Sequence, residues 1–112
     1  MDIKKRKSGD VTIFDLKGKL FYGDDIGVLR EAINAAIQAN EVKILLNFKD
    51  LRMLDSSGLG ELVRTYTSLK KAGGLVKIVF LTSRVKELLF ISKLITVFET
   101  FEDEGAALDS FT

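Results

Sequence analysis

Apolar and polar positions change their period several times along this chain, and each change marks an element. Ile3 to Lys7 reads as a short strand, and "SGD" at Ser8 to Asp10 is a turn signal. Val11, Ile13 and Leu16 punctuate a second strand, with Phe14 breaking strict alternation, so the two predict a hairpin. Gly18 and Gly23 bracket "KLFY", a strand end or a bulge. The period then becomes helical. Ile26, Leu29, Ile33 and Ile37 predict an amphipathic helix from Asp25 to about Asn40, with Asp24 and Asp25 placed to cap it and match its dipole. Val42 to Phe48, "VKILLNF", is dense enough in apolar residues to be a strand buried on both faces. "KDLRML" follows as a loop. Leu59, Leu62, Val63, Tyr66 and Leu69 mark one face of a second helix, ended by Gly73 and Gly74 just after Lys70 and Lys71. Leu75 to Leu81 is another buried strand. Thr82 or Ser83 can cap a third helix carrying Val85, Leu88, Leu89 and Ile91. "ITVFETF" reads as a final strand, and Glu102 to Asp109 as a short terminal helix with acid at its start.

A hairpin followed by alternating helix and strand implies an α/β layer structure with right-handed crossovers between parallel strands. At 112 residues and 46% hydrophobic, the chain is expected to form one domain over residues 1–112 with a filled core. Nothing in it resembles a linker. No apolar run reaches the length of a membrane span, and the charged N-terminus has no apolar segment behind it. The expected location is the cytoplasm, with no membrane partner.

Residue usage narrows the chemistry more than size does. Cysteine and histidine are both absent, which removes thiolate nucleophiles and disulfides and makes imidazole-based hydrolases and most zinc sites improbable. Ser–Lys dyads and all-carboxylate Mg²⁺ or Ca²⁺ sites remain open. With 17 basic and 16 acidic residues, the chain has no global field to attract nucleic acid.

The candidate chemistry sits in "LDSSGLGEL", Leu54 to Leu62, where the loop after a buried strand enters a helix. Ligand sites of open α/β sheets gather at such turns. Asp55, Ser56 or Ser57 could each cap the helix. Three oxygen-bearing residues are more than one cap requires, and two glycines in the first turns cost roughly 1 kcal/mol each relative to Ala in a helix interior. Gly58 and Gly60 also let another molecule approach the backbone closely. A dinucleotide cradle fails, because Val63 occupies the third glycine position and Phe80 lies where an acid is expected. Neither a P-loop string nor a G-x-S-x-G elbow exists. A remaining reading is a phosphate acceptor: the dipole and free N–H groups of a helix N-terminus stabilise an added phosphate.

In that context "LLNFKDLRMLDSSGLGELV" resembles the signature of STAS domains, specifically bacterial anti-sigma factor antagonists of the SpoIIAA type. The resemblance runs from about Val11 to Leu108 and takes in "KGKL", the "GG" after the motif helix and "ELLFISKLITVF". It implies a STAS-like mixed β-sheet with an N-terminal hairpin and helices packed on one side. It also implies a regulatory protein that is not an enzyme and needs no cofactor or metal. Such a protein, unphosphorylated, binds an anti-sigma factor that is also a serine kinase and so frees a sigma factor. Phosphorylation of the motif serine releases the partner, and a PP2C-type phosphatase resets the switch. By position, the resemblance makes Ser56 the phosphorylated residue, with Asp55, Ser57, Gly58 and Gly60 completing the motif and partner-binding segment. One departure stands out: where many relatives read G-x-L-D, this chain reads "GKLF", so Phe21 replaces the aspartate. The alternative function is a STAS scaffold, an accessory subunit of a signalling or transport complex. A small enzyme using Ser56 or Ser57 with a lysine base is a third.

Three other features have structural readings. "KKRK" at Lys4 to Lys7 fits a solvated edge strand that resists pairing with other chains. "EDE" at Glu102 to Glu104 fits an acid-enriched helix start. Phe90, Ile91, Leu94 and Ile95 read mostly as core, any exposed subset marking a docking patch.

Overall fold

The computed structural model describes all 112 residues. Five strands form one sheet in the order β1-β2-β3-β4-β5: β1 (Asp2–Ser8), β2 (Val11–Leu20), β3 (Lys43–Leu54), β4 (Leu75–Val79) and β5 (Thr100–Phe101). β1 and β2 are the expected antiparallel hairpin, and β2 through β5 run parallel. The helices between them are α1 (Asp24–Gln38), α2 (Ser56–Lys71) and α3 (Ser83–Ile91), with α4 (Glu104–Asp109) at the end.

Each crossover moves one strand further in the same direction across the sheet. Crossovers of constant right hand therefore deposit α1, α2 and α3 on one face. The main core lies beneath them, where Phe14, Leu16, Ile44, Leu46, Phe48, Leu51 and Ile78 of the sheet meet Leu29, Ile33, Leu62, Leu69, Val85 and Leu89. Neighbouring positions along the strands face the other way. Val11, Ile13, Leu45 and Val79 form a smaller cluster closed by Ala107 and Phe111. So α4 covers the opposite face, an addition to the one-sided arrangement the resemblance implied. It is pinned there by the buried Lys77, whose Nζ donates to the Ser110 carbonyl and hydroxyl, each at 2.9 Å.

The structure corrects several boundaries. "KDLRML" is not a loop: β3 continues through it to Leu54, paired with Lys17 to Leu20 across two register shifts. Leu51 and Leu54 are buried while Lys49, Asp50 and Arg52 face solvent, so the polar residues are outward positions of a strand, not a break in it. "ITVFETF" is mostly not a strand. Leu94–Thr96 is a 3-10 turn, Phe98 drops into the core, and only Thr100–Phe101 pairs with β4. β4 stops at Val79, because Phe80 adopts a left-handed backbone (φ 62°). The terminal helix starts at Glu104 rather than Glu102, with Asp103 as its cap. Thr82, not Ser83, caps α3. Phe90 and Ile91 are about 70% exposed, whereas Leu94 and Ile95 pack against the core. The cationic β1 lies at the sheet edge, where Lys5 and Lys7 both pair with Glu41. No helix is long and apolar enough to cross a membrane.

Candidate functional site

β3 delivers the motif to the end of the sheet where the parallel strands finish, and α2 begins immediately. Asp55 is the helix cap, in an extended conformation, with its Oδ1 accepting from Gly58 N at 2.8 Å. Its second oxygen does separate work. Oδ2 accepts from Tyr22 N at 2.9 Å, and Asp55 N donates to Leu20 O at 3.3 Å. One residue thus ties the start of α2 to the end of β2 through its backbone N–H and to the loop into α1 through its carboxylate. The Tyr22 and Gly58 backbone N–H groups hold the Asp55 carboxyl below the usual carboxylate range.

Of the three candidate caps, the other two are left free. Ser56 is the first residue of α2 and is exposed, and Ser57 is half-buried. The first turn of α2 contains no acidic residue. Its dipole is therefore met only by Asp55, and an anion on either serine would be favoured there.

The two glycines have different reasons. A Cβ on Gly58 would lie 2.3 Å from the Leu20 carbonyl oxygen and 3.1 Å from both Leu20 Cγ and Leu54 Cβ, so the fold itself demands glycine. A Cβ on Gly60 would meet nothing within 4 Å, and the residue is exposed. The packing of α2 gives no account of Gly60.

Phe21 stands where an aspartate was expected; of the two acids that open α1 soon after it, Asp24 is exposed and Asp25 is engaged. Asp25 Oδ2 accepts from Phe21 N at 3.0 Å and Oδ1 from the Met1 amino group at 2.8 Å. Neither Asp24 nor Asp25 is the cap of α1. That position is Gly23, at φ 106° and with no side-chain cap. Asp25 braces the loop, and Tyr22, 84% exposed, projects from it beside the motif.

Sequence reasoning missed one cluster. Glu61 lies on the buried face of α2, its side chain only 3% exposed. Arg30 of α1 donates to it from Nη2 at 2.8 Å and from Nε at 3.4 Å, and Arg64 Nε lies 3.6 Å away. The signal was available, since Gly58, Glu61, Leu62, Thr65 and Leu69 share a helical period and the acid sits at a core position. Glu61, Arg30 and Arg64 line an open depression of about 530 Å³ together with Tyr22, Gly23, Ile26, Ser57 and Gly60. The largest depression, about 590 Å³ and lined by Lys49, Phe80, Thr82, Lys86 and Phe101 among others, contains no motif residue. No group of three or more acids is placed to hold a metal ion.

A family model described as STAS domain matches residues 2–107. The chain is 28% identical over 109 residues to an anti-sigma F factor antagonist of Paenibacillus polymyxa, covering 96% of this chain and 92% of that one. Its fold matches a Thermotoga maritima crystal structure with a TM-score of 0.89 at 19% identity, over 96% of this chain and 92% of that one. It also matches the Bacillus cell fate determinant SpoIIAA in its phosphorylated form, with a TM-score of 0.76 at 20% identity, over 99% and 100% of the two chains.

Proposed function

The chain belongs to the STAS domain family, and on that premise we propose that it is an anti-sigma factor antagonist switched at Ser56. Unphosphorylated, it binds an anti-sigma factor that is also a serine kinase, and so frees a sigma factor in the cytoplasm. The kinase then transfers a phosphoryl group from ATP. Ser56 Oγ bonds to the γ-phosphorus, the bond from that phosphorus to the bridging oxygen breaks, ADP leaves, and the hydroxyl proton passes to a base of the kinase. A PP2C-type phosphatase returns the serine. All of the catalysis belongs to the partners, and the chain contributes an acceptor and a docking surface.

The observation that carries this reading is the division of labour at the start of α2. Asp55 takes the cap and latches the neighbouring loop, so Ser56 is exposed and free of structural duty. Around the same helix start lie the exposed Tyr22, whose backbone N–H donates to Asp55, and the bare backbone at Gly60, a surface a partner can approach closely. Phosphorylation adds about 1.5 to 2 negative charges at neutral pH. Within a desolvated contact such a charge repels the partner unless it is paired, which makes release a direct electrostatic consequence.

Intact mass and peptide mapping of the chain from its native cells test the acceptor, the expected result being one added phosphate on Ser56. Binding assays with the kinase test the switch: Ser56→Ala should bind and accept no phosphate at position 56, and Ser56→Asp should bind weakly. Equal binding by the two variants, or no phosphate in any growth phase, would refute the reading and favour a scaffold role.

A further inference from the structure

Two serines stand side by side in the motif, but they face different surroundings. Ser57 lines the depression that holds Arg30, Glu61 and Arg64, and Ser56 does not. Seven residues separate Ser57 from Arg64. That is about 20° short of two full helical turns and roughly 10.5 Å along the axis, so the two share a face of α2. Gly60 lies between them and, having no side chain, leaves the path open. Helical side chains lean toward the N-terminus, and Arg64 already does so, with Nε 3.6 Å from Glu61 on the preceding turn. Ser56 lies eight residues from Arg64, about 80° around the helix.

The charges in the depression do not balance. The Glu61 carboxylate is buried and needs a cation. Arg30 satisfies it with two hydrogen bonds. Arg64 makes a single longer contact and has its side chain about half exposed. The cluster therefore holds two guanidiniums for one carboxylate, and the less firmly held one can turn to a new anion without leaving Glu61 unpaired.

We propose that Ser57 is a second modification site, whose phosphate is held by Arg64 at the N-terminus of α2, whereas a phosphate on Ser56 stays exposed. A guanidinium meets a phosphate through two parallel hydrogen bonds, and the N-terminal N–H groups of the helix add to the site. The step requires a nucleoside triphosphate and the serine kinase of the reading above, on which this inference rests. Ser57 Oγ bonds to the γ-phosphorus, the bridging P–O bond breaks, the nucleoside diphosphate leaves, and the proton passes to a base of the kinase. The two positions then have separate fates: the Ser56 phosphate is open to hydrolysis, and the Ser57 phosphate is protected by its arginine.

The test uses full chains with phosphoserine installed at position 57 or at position 56, each followed by ³¹P NMR across pH. The Ser57 phosphate should titrate about half a pH unit or more below the Ser56 phosphate. Arg64→Gln should abolish the difference, and Arg64→Lys, which keeps the charge without the planar fork, should restore part of it. Identical titration at the two positions, or no effect of Arg64→Gln, overturns the arginine site. Fragment-ion mapping of the native protein decides whether the site is used, with phosphate on Ser57 expected in part of the population. Phosphate on Ser56 alone overturns this inference and leaves the antagonist reading standing, whereas phosphate on neither refutes both.

Discussion

Gly58 and Gly60 lie in one turn of one helix, and alanine at the two positions should have opposite effects. At Gly58 the added Cβ would fall 2.3 Å from the Leu20 carbonyl oxygen, a backbone atom at the end of β2 that cannot rotate away. Leu20 and Leu54, the other neighbours, are buried in the main core. Overpacking of this kind costs about 1–3 kcal/mol. Against it stands the helix preference for alanine, at most about 1 kcal/mol. The clash wins, and Gly58→Ala should lose on the order of 1–2 kcal/mol. For a domain of about 100 residues that lowers Tm by roughly 5–10 °C. Alanine retains the N–H that Asp55 caps, so the loss isolates the contact rather than the hydrogen bond. At Gly60 the Cβ enters open space, and only the propensity term remains. Gly60→Ala should gain about 0.5–1 kcal/mol. The chain has no tryptophan, so urea and thermal unfolding are best followed by far-UV circular dichroism. A stabilised Gly58→Ala, or a destabilised Gly60→Ala, would refute the assignment of one glycine to packing and the other to the surface. Should Gly60→Ala prove more stable and yet bind the kinase less well, the glycine is kept for the partner at the expense of the fold.

Asp15 should carry part of the acid sensitivity. Hydrogen bonding from the Arg6 guanidinium, aided by Asn47, holds its carboxyl below the usual range. A depressed carboxylate stabilises the fold above its unfolded pKa of about 4 and loses that contribution as pH falls through the folded value. Urea midpoints of Asp15→Asn should therefore lie below the parent at pH 7 and converge with it near pH 2.5, and a constant gap across that range would contradict the pairing. Lys77→Met should release α4, since the ammonium makes two hydrogen bonds to Ser110. Bonds to a charged group are worth about 1.5–3 kcal/mol each, and amide exchange confined to α4 should accelerate. Removing either arginine from Glu61 should separate their roles. Arg30→Ala should lower Tm clearly, because it strips the two hydrogen bonds from a buried carboxylate, and Arg64→Ala should leave Tm nearly unchanged. The reverse order would overturn the ranking.

The parts of this fold legible in the sequence were those where one force dominated. A dense apolar run made Val42 to Phe48 read as a strand buried on both faces, and the helical spacing of Ile26, Leu29, Ile33 and Ile37 gave α1. Where two forces compete, pattern alone misleads. In "KDLRML" the charged residues suggested a loop, but a strand can carry charges at its solvent-facing positions, and the pairing with β2, irregular beside Lys49 and Asp50, extends it to Leu54. In "ITVFETF" the β-branched and aromatic residues suggested a strand. There tertiary packing prevails, because Phe98 fills the core from an irregular segment. The motif shows the same division at finer scale. The resemblance named five residues together, and the structure separates them by duty. Asp55 and Gly58 are demanded by the fold, one as cap and latch, the other by contact with Leu20. Ser56, Ser57 and Gly60 are not. Selection for stability alone would have put a better helix former at Gly60 and would not have needed two free hydroxyls after a complete cap. The motif residues that folding leaves unexplained all lie around the N-terminus of α2, where a phosphate is most favoured and where a partner can come closest to the backbone. That coincidence argues for a regulatory surface more strongly than the motif string does, because a structural helix start would retain Asp55 and Gly58 and could dispense with the rest.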